Sequence, residues 1–281
     1  MQSMTTLVID DPDQWFSELP EVCAEIFSGE VVARLIARRP EYFDFDDLQW
    51  LNDAIADALG QTVESDELFL EAICRGYRSI RGYHGTRCAI TSRYRQNGLI
   101  VLPPGAAIEK ARKFFCSGRF PEITEAAFAV AAGRKHHIQP PKVWFTAGRR
   151  HLIKDCGHYL LYGSEQVIAI AVGITTNTRY DYRQALKLVG RPTLIVCDIP
   201  IGQIPREFLK SYTNKVLASW FEEAVTGARS FDYTGGFPAT GNVGPECIIS
   251  IEHPPSETIN DPYAGTAWLH EIAPWQARRS A

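Results

Sequence analysis

Three adjacent residues, His84, Gly85 and Thr86, could bind a polar ligand at the end of a strand-like segment. A glycine lets a ligand approach the backbone closely enough for its N–H and C=O to pair with an amide. The flanking His84 and Thr86 side chains offer hydrogen-bond donors and acceptors to hydroxyl groups. A strand that ends in a turn can contain the same triplet, so the interpretation depends on the rest of the chain.

A second group of candidate residues lies between positions 143 and 165 and is rich in aromatic side chains. Trp144 and Phe145 share one strand-like segment, and Tyr159 and Tyr162 are three residues apart further along. Flat rings stack on a flat heteroaromatic group, and a positively charged ring adds a cation–π attraction of about 0.5–2 kcal/mol. These aromatic residues could instead fill the core, which is the simpler interpretation for Trp144 and Phe145.

Two glutamates are candidates for an acidic role. Glu165 follows Ser164 at the predicted start of a helix, where Ser164 could be an N-cap and Glu165 a carboxylate favoured by the helix dipole. Glu246 follows Pro245 and directly precedes the apolar segment CIISI, so it is predicted at the rim of a sheet. A carboxylate at a rim can face a cleft, although single glutamates at strand ends are common.

The first part of the chain is predicted to be helical. Helical spacing runs through SELPEVCAEIFSGEVVARLIARRP as far as Pro40, through DFDDLQWLNDAIADALG as far as Gly60, and through SDELFLEAICRGY. We therefore predict an all-helical, acidic N-terminal region over residues 1–75.

From residue 76 onward, strand-like and helical segments follow one another without a regular βα alternation. The predicted strands are YRSIRGYHGT, KVWFTAG, HYLLYG, PTLIVCDIP and ECIISIEHP. A short helix is predicted to end at Asn97-Gly98, a helical insertion at about 105–135, and further helices at about 164–173 and 206–226. This pattern favours an α+β fold with a second domain over residues 76–281.

Composition places the chain among ordinary globular proteins, with 45% apolar and 22% charged residues. No apolar run reaches the roughly 20 residues of a membrane span, and the start MQSMTTLVIDDPDQW lacks the features of a secretory signal. The 7 cysteines include no CxxC pair, which fits a reducing compartment better than a disulfide framework. We expect a cytoplasmic protein without a membrane partner.

Charge is strongly segregated along the chain. Residues 1–74 hold 17 Asp and Glu against 3 Arg, a net charge of −14, whereas residues 75–154 hold 16 Lys and Arg against 3 Glu, a net charge of +13. A basic segment attracts phosphates of a nucleotide or of nucleic acid. Alternatively, the acidic and basic segments neutralise each other in the folded chain.

Several standard sequence motifs are missing. No GxGxxG follows a strand, and no GxxxxGK[ST], GxSxG or HExxH occurs. A metal site could still be drawn from the two histidines at 136 and 137 with His151, Cys156 and His158, but Cys156-Gly157-His158 lacks the paired spacing of structural zinc motifs.

The chain resembles the ADP-ribosyltransferase superfamily in three features taken together: the triplet His84-Gly85-Thr86, the tyrosines of HYLLYGSE and the late Glu246. The resemblance is to its His-Tyr-Glu branch, which includes the poly(ADP-ribose) polymerase-like enzymes, and it covers about residues 78–253. HYLLYGSE followed by GRPTLIVCDIP is also similar to NAD-consuming domains of some bacterial toxin or phage-defence proteins.

The resemblance implies a split mixed or antiparallel sheet that cradles NAD. It implies that His84 binds the adenine-side ribose, that Gly85 pairs with the nicotinamide carboxamide, and that Thr86 assists beside them. It further implies that Tyr159 or Tyr162 stacks on nicotinamide.

The family glutamate that binds a hydroxyl of the nicotinamide ribose would be Glu246, with Glu165 as the competing candidate. A carboxylate there stabilises the positive charge that develops on the sugar as the nicotinamide bond breaks. Among the arginines near the triplet, Arg87 is the candidate for gripping the pyrophosphate. Ser164 is counted with the NAD-binding residues.

The sequence thus predicts an NAD-dependent ADP-ribosyltransferase that releases nicotinamide, uses no metal and modifies a macromolecular acceptor, which could be a protein, RNA or DNA. An antitoxin-like inhibitor could be a further partner. The alternatives are an NAD glycohydrolase and a catalytically silent nucleotide-binding or nucleic-acid-binding module of the same fold.

Overall fold

The structure is a computed structural model that describes residues 4–24, 26–133, 142–178, 180–228 and 234–264. Its contacts divide the chain into two compact units. The first comprises Met1–Gly82, Trp144–Gly148 and Asp198–Thr240, and the second comprises Tyr83–Val143, Arg149–Cys197 and Gly241–Ala281. The predicted domain boundary near residue 75 falls inside the first unit.

The fold is a mixture of helices and strands without regular alternation, which confirms the α+β class. The six strands found among the described residues are β1 (Met4–Leu7), β2 (Tyr77–Cys88), β3 (Val143–Thr146), β4 (Arg191–Pro200), β5 (Gly236–Ala239) and β6 (Ile248–Glu252). They form one sheet in the order β5-β3-β2-β4-β6, with β1 paired to β2 outside that path. Strand β1 is parallel to β2, and β4 is antiparallel to β6.

Four helices follow β1 in the first unit: α1 (Pro12–Val22), α2 (Gly29–Ala37), α3 (Gln49–Leu59) and α4 (Ser65–Gly76). The side chains of Asp11 and Ser28 cap α1 and α2 by accepting hydrogen bonds from the backbone N–H groups of Gln14 and Val31. These helices confirm the helical prediction. The prediction of an all-helical start is wrong at β1, because four residues are too few to show a period and their partner strand lies about seventy residues further along the chain.

Eight helices lie in the remainder of the described chain. They are α5 (Ser92–Asn97), α6 (Ala106–Phe115), α7 (Glu125–Gly133), α8 (Arg149–Lys154), α9 (His158–Tyr162), α10 (Glu165–Thr178), α11 (Arg183–Leu186) and α12 (Arg206–Thr226). Helices α6 and α7 confirm the predicted insertion, and α10 and α12 confirm the two later helices. Across all described residues, no helix is both long and apolar enough to cross a membrane.

The segment HYLLYG was predicted as a strand, and this prediction is wrong because residues His158–Tyr162 form helix α9. The backbone N–H groups of Leu160 and Leu161 both donate to the carbonyl of Gly157, which closes a helical turn. A short apolar run buries equally well as a strand or as one turn of helix, so its periodicity does not distinguish the two.

The two aromatic residues of β3 have different environments in the first unit. Phe145 is buried and stacks on Phe237 of β5 with 5.7 Å between ring centroids. Trp144 is 39% exposed and meets Phe208 of α12 edge to face. Packing therefore accounts for Phe145 as a core residue.

Part of the acidic N-terminal region is neutralised within the first unit by helix α12. Asp66 and Glu67 at the start of α4 form ion pairs with Lys210, and Glu67 also pairs with Arg206. The partners of these carboxylates thus come from the near-neutral last part of the chain, and exposed pairs of this kind contribute little stability each.

The core of the second unit depends on close packing of α10 against α7. A Cβ built on Gly173 of α10 would lie 3.0 Å from the Cβ and 3.1 Å from the Cα of Ala131 of α7. The two helix backbones therefore approach each other at a position that has no room for a larger residue.

We expect Gly173→Leu to lower the free energy of unfolding by about 1–3 kcal/mol, because the added side chain must push α10 away from α7. Urea unfolding followed by circular dichroism measures the change. Gly29→Leu is the matched control, since a Cβ on Gly29 would meet nothing within 4 Å. Equal midpoints for the two variants would contradict this account of the core.

Candidate functional site

Strand β2 sorts the residues of the predicted triplet onto its two faces. Tyr83 packs in a cluster with Leu152 and Leu160, and Gly85 faces the same two leucines. Because side chains alternate along a strand, Tyr83, Gly85 and Arg87 share one face, and His84 and Thr86 share the other. Gly85 therefore faces one side of the sheet, and His84 and Thr86 face the other.

Gly85 lies against helices α8 and α9. A Cβ on this residue would lie 2.9 Å from Cδ1 of Leu152 and 3.1 Å from the Cβ of Tyr159. The first contact is with the end of a flexible leucine side chain that can rotate away, and the second is tighter than most Cβ contacts, so a larger residue here would need α9 to give by a few tenths of an ångström. The structure thus brings together Gly85 and Tyr159, two of the residues singled out from the sequence.

Glu165 begins helix α10 and lies near Tyr159 and His158. Burial, followed by the charge of Glu165, raises the pKa of Tyr159, which keeps its phenol protonated at neutral pH. Burial also lowers the pKa of His158, and Glu165 and Asp261 offset this only in part. The ring of Tyr159 is therefore held as a neutral phenol beside a carboxylate and an imidazole that burial keeps uncharged.

Ser164 lies immediately before Glu165, at the point where α10 begins. Its carbonyl accepts hydrogen bonds from the N–H groups of Val167 and Ile168, and its side chain is exposed. This is the helix-entry position that the sequence indicated as an alternative to NAD binding.

Tyr162 is held by a partly buried polar group that the sequence did not reveal. Its hydroxyl donates to Asp261 at 2.5 Å, and Lys187 pairs with the same carboxylate at 3.2 Å. The Lys187 ammonium also lies 4.8 Å from the centroid of the Tyr162 ring. With only 3% of its surface exposed, Tyr162 has both its hydroxyl and its ring occupied by the protein.

Tyr263 extends this cluster of aromatic rings. Its ring lies 5.9 Å from the ring of His158 and 5.9 Å from that of Tyr162, measured between centroids. The Arg183 guanidinium lies 4.8 Å from the Tyr263 centroid and also pairs with Asp181 at 2.9 Å. Cation–π contacts of this kind contribute about 0.5–2 kcal/mol.

The segment that carries Asp261 and Tyr263 is docked by its backbone as well. The N–H of Asn260 donates to the carbonyl of Ile153, its side-chain amide donates to Lys154, and Ile259 is buried. Sequence reasoning missed this segment because it has no hydrophobic periodicity, and a single Asp or Tyr in a turn-rich stretch gives no local signal.

Tyr94 of the short helix α5 lies against the other face of β2. Burial and the neighbouring Cys88 thiol raise the pKa of Tyr94 in α5, and the Thr86 hydroxyl partly offsets the rise. Thr86 and Cys88 thus face Tyr94, and strand alternation directs His84 to the same side.

Glu246 lies in a 3-10 turn, Pro245–Cys247, that packs against α5. The preceding loop is anchored by paired backbone hydrogen bonds of 2.8 and 2.9 Å between Leu99 and Val243. This pairing needs glycine at Gly98, which has a φ of +72° and no room for a Cβ beside the carbonyl of Val243.

The side chain of Glu246 is exposed and folds back over its own turn. A Cβ on Gly244 would lie 2.0 Å from one carboxylate oxygen of Glu246. No hydrogen bond or ion pair joins this carboxylate to another residue in the part of the chain that the structure describes. The carboxylate expected at the sheet rim is therefore exposed just before β6, on the side of α5.

The partners of Arg87 are backbone carbonyls, whereas the resemblance implied that it binds a pyrophosphate. Its guanidinium donates to the carbonyls of Lys187, Val189 and Gly190 at 2.8–3.0 Å. Burial lowers its pKa from the ordinary value. These contacts fix the loop before β4, and a pyrophosphate would have to compete with them.

An open surface depression of about 240 Å³ lies on helix α8. Its lining comes from Arg149, Arg150, Ile153 and Lys154. Arg149 also pairs with Glu252 at 2.5 Å, and Lys154 donates to the carbonyl of Thr258. The cationic side chains around this depression suit a phosphate or another anion. Leu152, which lies on the same helix, faces Gly85 instead.

The metal alternative rests on residues of which the structure describes only some. The two histidines at 136 and 137 lie outside the described residues. Among those described, no group of three or more His, Cys, Asp or Glu side chains is arranged to hold a metal ion. His151 and Cys156 do lie close together, with 3.5 Å between Nε2 and Sγ.

Comparisons of the chain with models of protein families, with curated proteins and with solved structures found no match.

We expect Asp261→Asn to lower the free energy of unfolding at pH 7 by about 1.5–3 kcal/mol, since Tyr162 and Lys187 lose a charged acceptor. Although burial opposes it, these partners and the N–H of Tyr263 lower the pKa of Asp261 below its ordinary 3.8. A lowered carboxyl pKa gives stability above the ordinary value and loses it as pH falls through the folded value.

The difference between wild type and Asp261→Asn should therefore shrink below about pH 3.8. Urea midpoints at pH 7, 5, 4 and 3 measure this difference, with the exposed Glu257→Gln as control. A difference that is absent at pH 7, or that is independent of pH, would show that Asp261 does not hold the segment.

Proposed function

We propose that this protein is an NAD-dependent ADP-ribosyltransferase, which transfers ADP-ribose to a macromolecular acceptor and releases nicotinamide. The observation that carries the proposal is the packing of Tyr159 against Gly85 of the His84-Gly85-Thr86 triplet. A backbone free of a side chain can pair with a carboxamide, and an adjacent aromatic ring can stack on the ring that bears it. These are the two contacts with nicotinamide that the sequence resemblance implies.

Tyr159, rather than Tyr162, is the residue we assign to stacking. The hydroxyl of Tyr162 is bound to Asp261 and its ring is covered by Lys187. Tyr159 is only half-buried and lies directly beside Gly85. Because Leu152 and Leu160 fill the space over Gly85, a nicotinamide ring reaches Gly85 and Tyr159 only after the end of the Leu152 side chain rotates away.

Glu246 is the carboxylate we assign to the nicotinamide ribose. It is exposed, its loop is fixed to α5, and α5 also contacts the His84 and Thr86 side of β2. When the C–N bond to nicotinamide breaks, positive charge develops on the ribose, and a nearby carboxylate stabilises that charge and orients the acceptor. Glu165 lies beside the Tyr159 phenol instead and is assigned to positioning that ring.

For the pyrophosphate we assign the basic side chains around the surface depression on α8 in place of Arg87. Arg87 donates to three carbonyls, whereas Arg150 is exposed at the edge of this depression. Planar guanidinium groups bind phosphate oxygens through paired hydrogen bonds.

We expect purified protein to release nicotinamide from NAD, and the rate to rise when a cell extract containing protein and RNA supplies acceptors. His84→Ala should lower this rate by about 10-fold or more, because one ribose contact is lost. Liquid chromatography of nicotinamide measures release, and labelled NAD measures transfer. A rate of nicotinamide release that the extract does not change would favour a glycohydrolase, and binding of NAD without release would favour a silent module.

We expect Glu246→Gln to lower nicotinamide release by about 100-fold or more while NAD binding persists, since charge stabilisation in the transition state is lost. Glu165→Gln should lower it by less than about 10-fold, because Glu165 acts through Tyr159 and does not touch the ribose. Calorimetric titration with NAD and thermal unfolding show whether each variant binds and folds. The reverse order of the two effects would transfer the catalytic role to Glu165.

A further inference from the structure

A thiol, an imidazole and a carboxylate lie in a row at the end of helix α8, next to Tyr159 and Glu165 of the proposed NAD site. Sγ of Cys156 lies 3.5 Å from Nε2 of His151. Nδ1 of the same ring lies 2.9 Å from Oδ2 of Asp155. A nucleophile beside a base that a third group orients is the arrangement by which proteins activate a thiol.

The backbone builds this row from one short stretch of chain. The N–H groups of Asp155 and Cys156 both donate to the carbonyl of His151, at 2.9 and 3.0 Å, so the turn after α8 folds both residues back toward the imidazole. The His151 side chain is only 13% exposed, which restricts its rotation, while Asp155 is 57% exposed and Cys156 is half-buried. A small reagent can approach from the solvent side.

We propose that Cys156 is a peroxide-reactive thiol for which His151 is the general base and Asp155 the group that orients it. In the reaction, the Sγ proton passes to Nε2 of His151 and the sulfur attacks the terminal, hydrogen-bearing oxygen of a small hydroperoxide. The S–O bond forms and the O–O bond breaks. His151 returns its proton to the leaving oxygen, so the sulfur is oxidised to a sulfenic acid and the peroxide is reduced to water or an alcohol.

The site fits a hydroperoxide better than an acyl substrate. Acyl transfer needs N–H donors for a developing oxyanion, but the N–H of Cys156 already donates to His151. Attack on a peroxide needs only a thiolate and a proton for the leaving oxygen, and the protonated His151 supplies that proton.

The base is necessary because the thiol is protonated at rest. Burial, and then the charges of Asp155 and Glu165, raise the pKa of Cys156 above its ordinary 9.0. Without His151, reaction at neutral pH would therefore depend on a very small thiolate fraction. This inference goes beyond the proposed transferase and does not rest on it.

The test is peroxide labelling of the full chain at neutral pH, with the sulfenic acid trapped by a cyclic diketone and each cysteine counted by peptide mass spectrometry. Cys74 is the internal control, since it is exposed, its pKa is also raised by burial, and the interactions that shift it involve Arg206 and Glu71 rather than a histidine. We expect Cys156 to be labelled about 10-fold or more faster than Cys74 with dilute hydrogen peroxide.

His151→Ala should remove this advantage without changing Cys74, and labelling of Cys156 should then rise steeply with pH. Asp155→Asn changes an exposed carboxylate and should lower the labelling of Cys156 by several-fold. This second variant keeps the test decisive if His151→Ala weakens folding. Labelling of Cys156 at the rate of Cys74, or at a rate that neither variant alters, would overturn the proposal.

Discussion

The structure around the candidate site depends on one steric constraint, the close approach of strand β2 to helices α8 and α9 at Gly85. A Cβ built on Gly85 would lie 2.9 Å from Cδ1 of Leu152 and 3.1 Å from the Cβ of Tyr159, so β2 packs closely against both helices at this point. Because α9 is only five residues long, the position of Tyr159 also sets the direction in which Tyr162 leaves the helix. The hydroxyl of Tyr162 then donates to Asp261, whose segment is also docked through Asn260.

Strand alternation gives this constraint a chemical consequence. Gly85 shares its face of β2 with the aromatic cluster, whereas His84 and Thr86 share the face that Tyr94 of α5 contacts, and the Glu246 turn packs against α5. Rings and a backbone without a side chain suit a heteroaromatic amide, and a histidine, a hydroxyl and an exposed carboxylate suit a sugar. A dinucleotide carries both kinds of group, which is the chemical basis of the NAD site that we propose.

Much of the fold could be predicted from the sequence where a hydrophobic period ran over enough residues or where a residue that stops helices marked an end. Helix α3 ends at Gly60, α5 ends at Asn97, and α12 has the predicted bounds of 206 and 226. The misses have a common physical origin: β1 and α9 are short, and tertiary contacts rather than local preference decide their conformation. In the site, residue types indicated Tyr159 and Tyr162 together without separating them, and no local pattern could show that Tyr162 is bound by Asp261, since the two lie 99 residues apart.

The group formed by Tyr162, Lys187 and Asp261 also explains why an ionised carboxylate is tolerated inside the aromatic cluster. An unpaired carboxylate among buried rings would be costly, but here a phenol, an ammonium and the N–H of Tyr263 satisfy it. The docked segment in turn places the Tyr263 ring beside His158. Burial of Tyr159 and the charge of the exposed Glu165 both raise the pKa of the Tyr159 phenol, so packing and charge act on the same side chain at the proposed nicotinamide position.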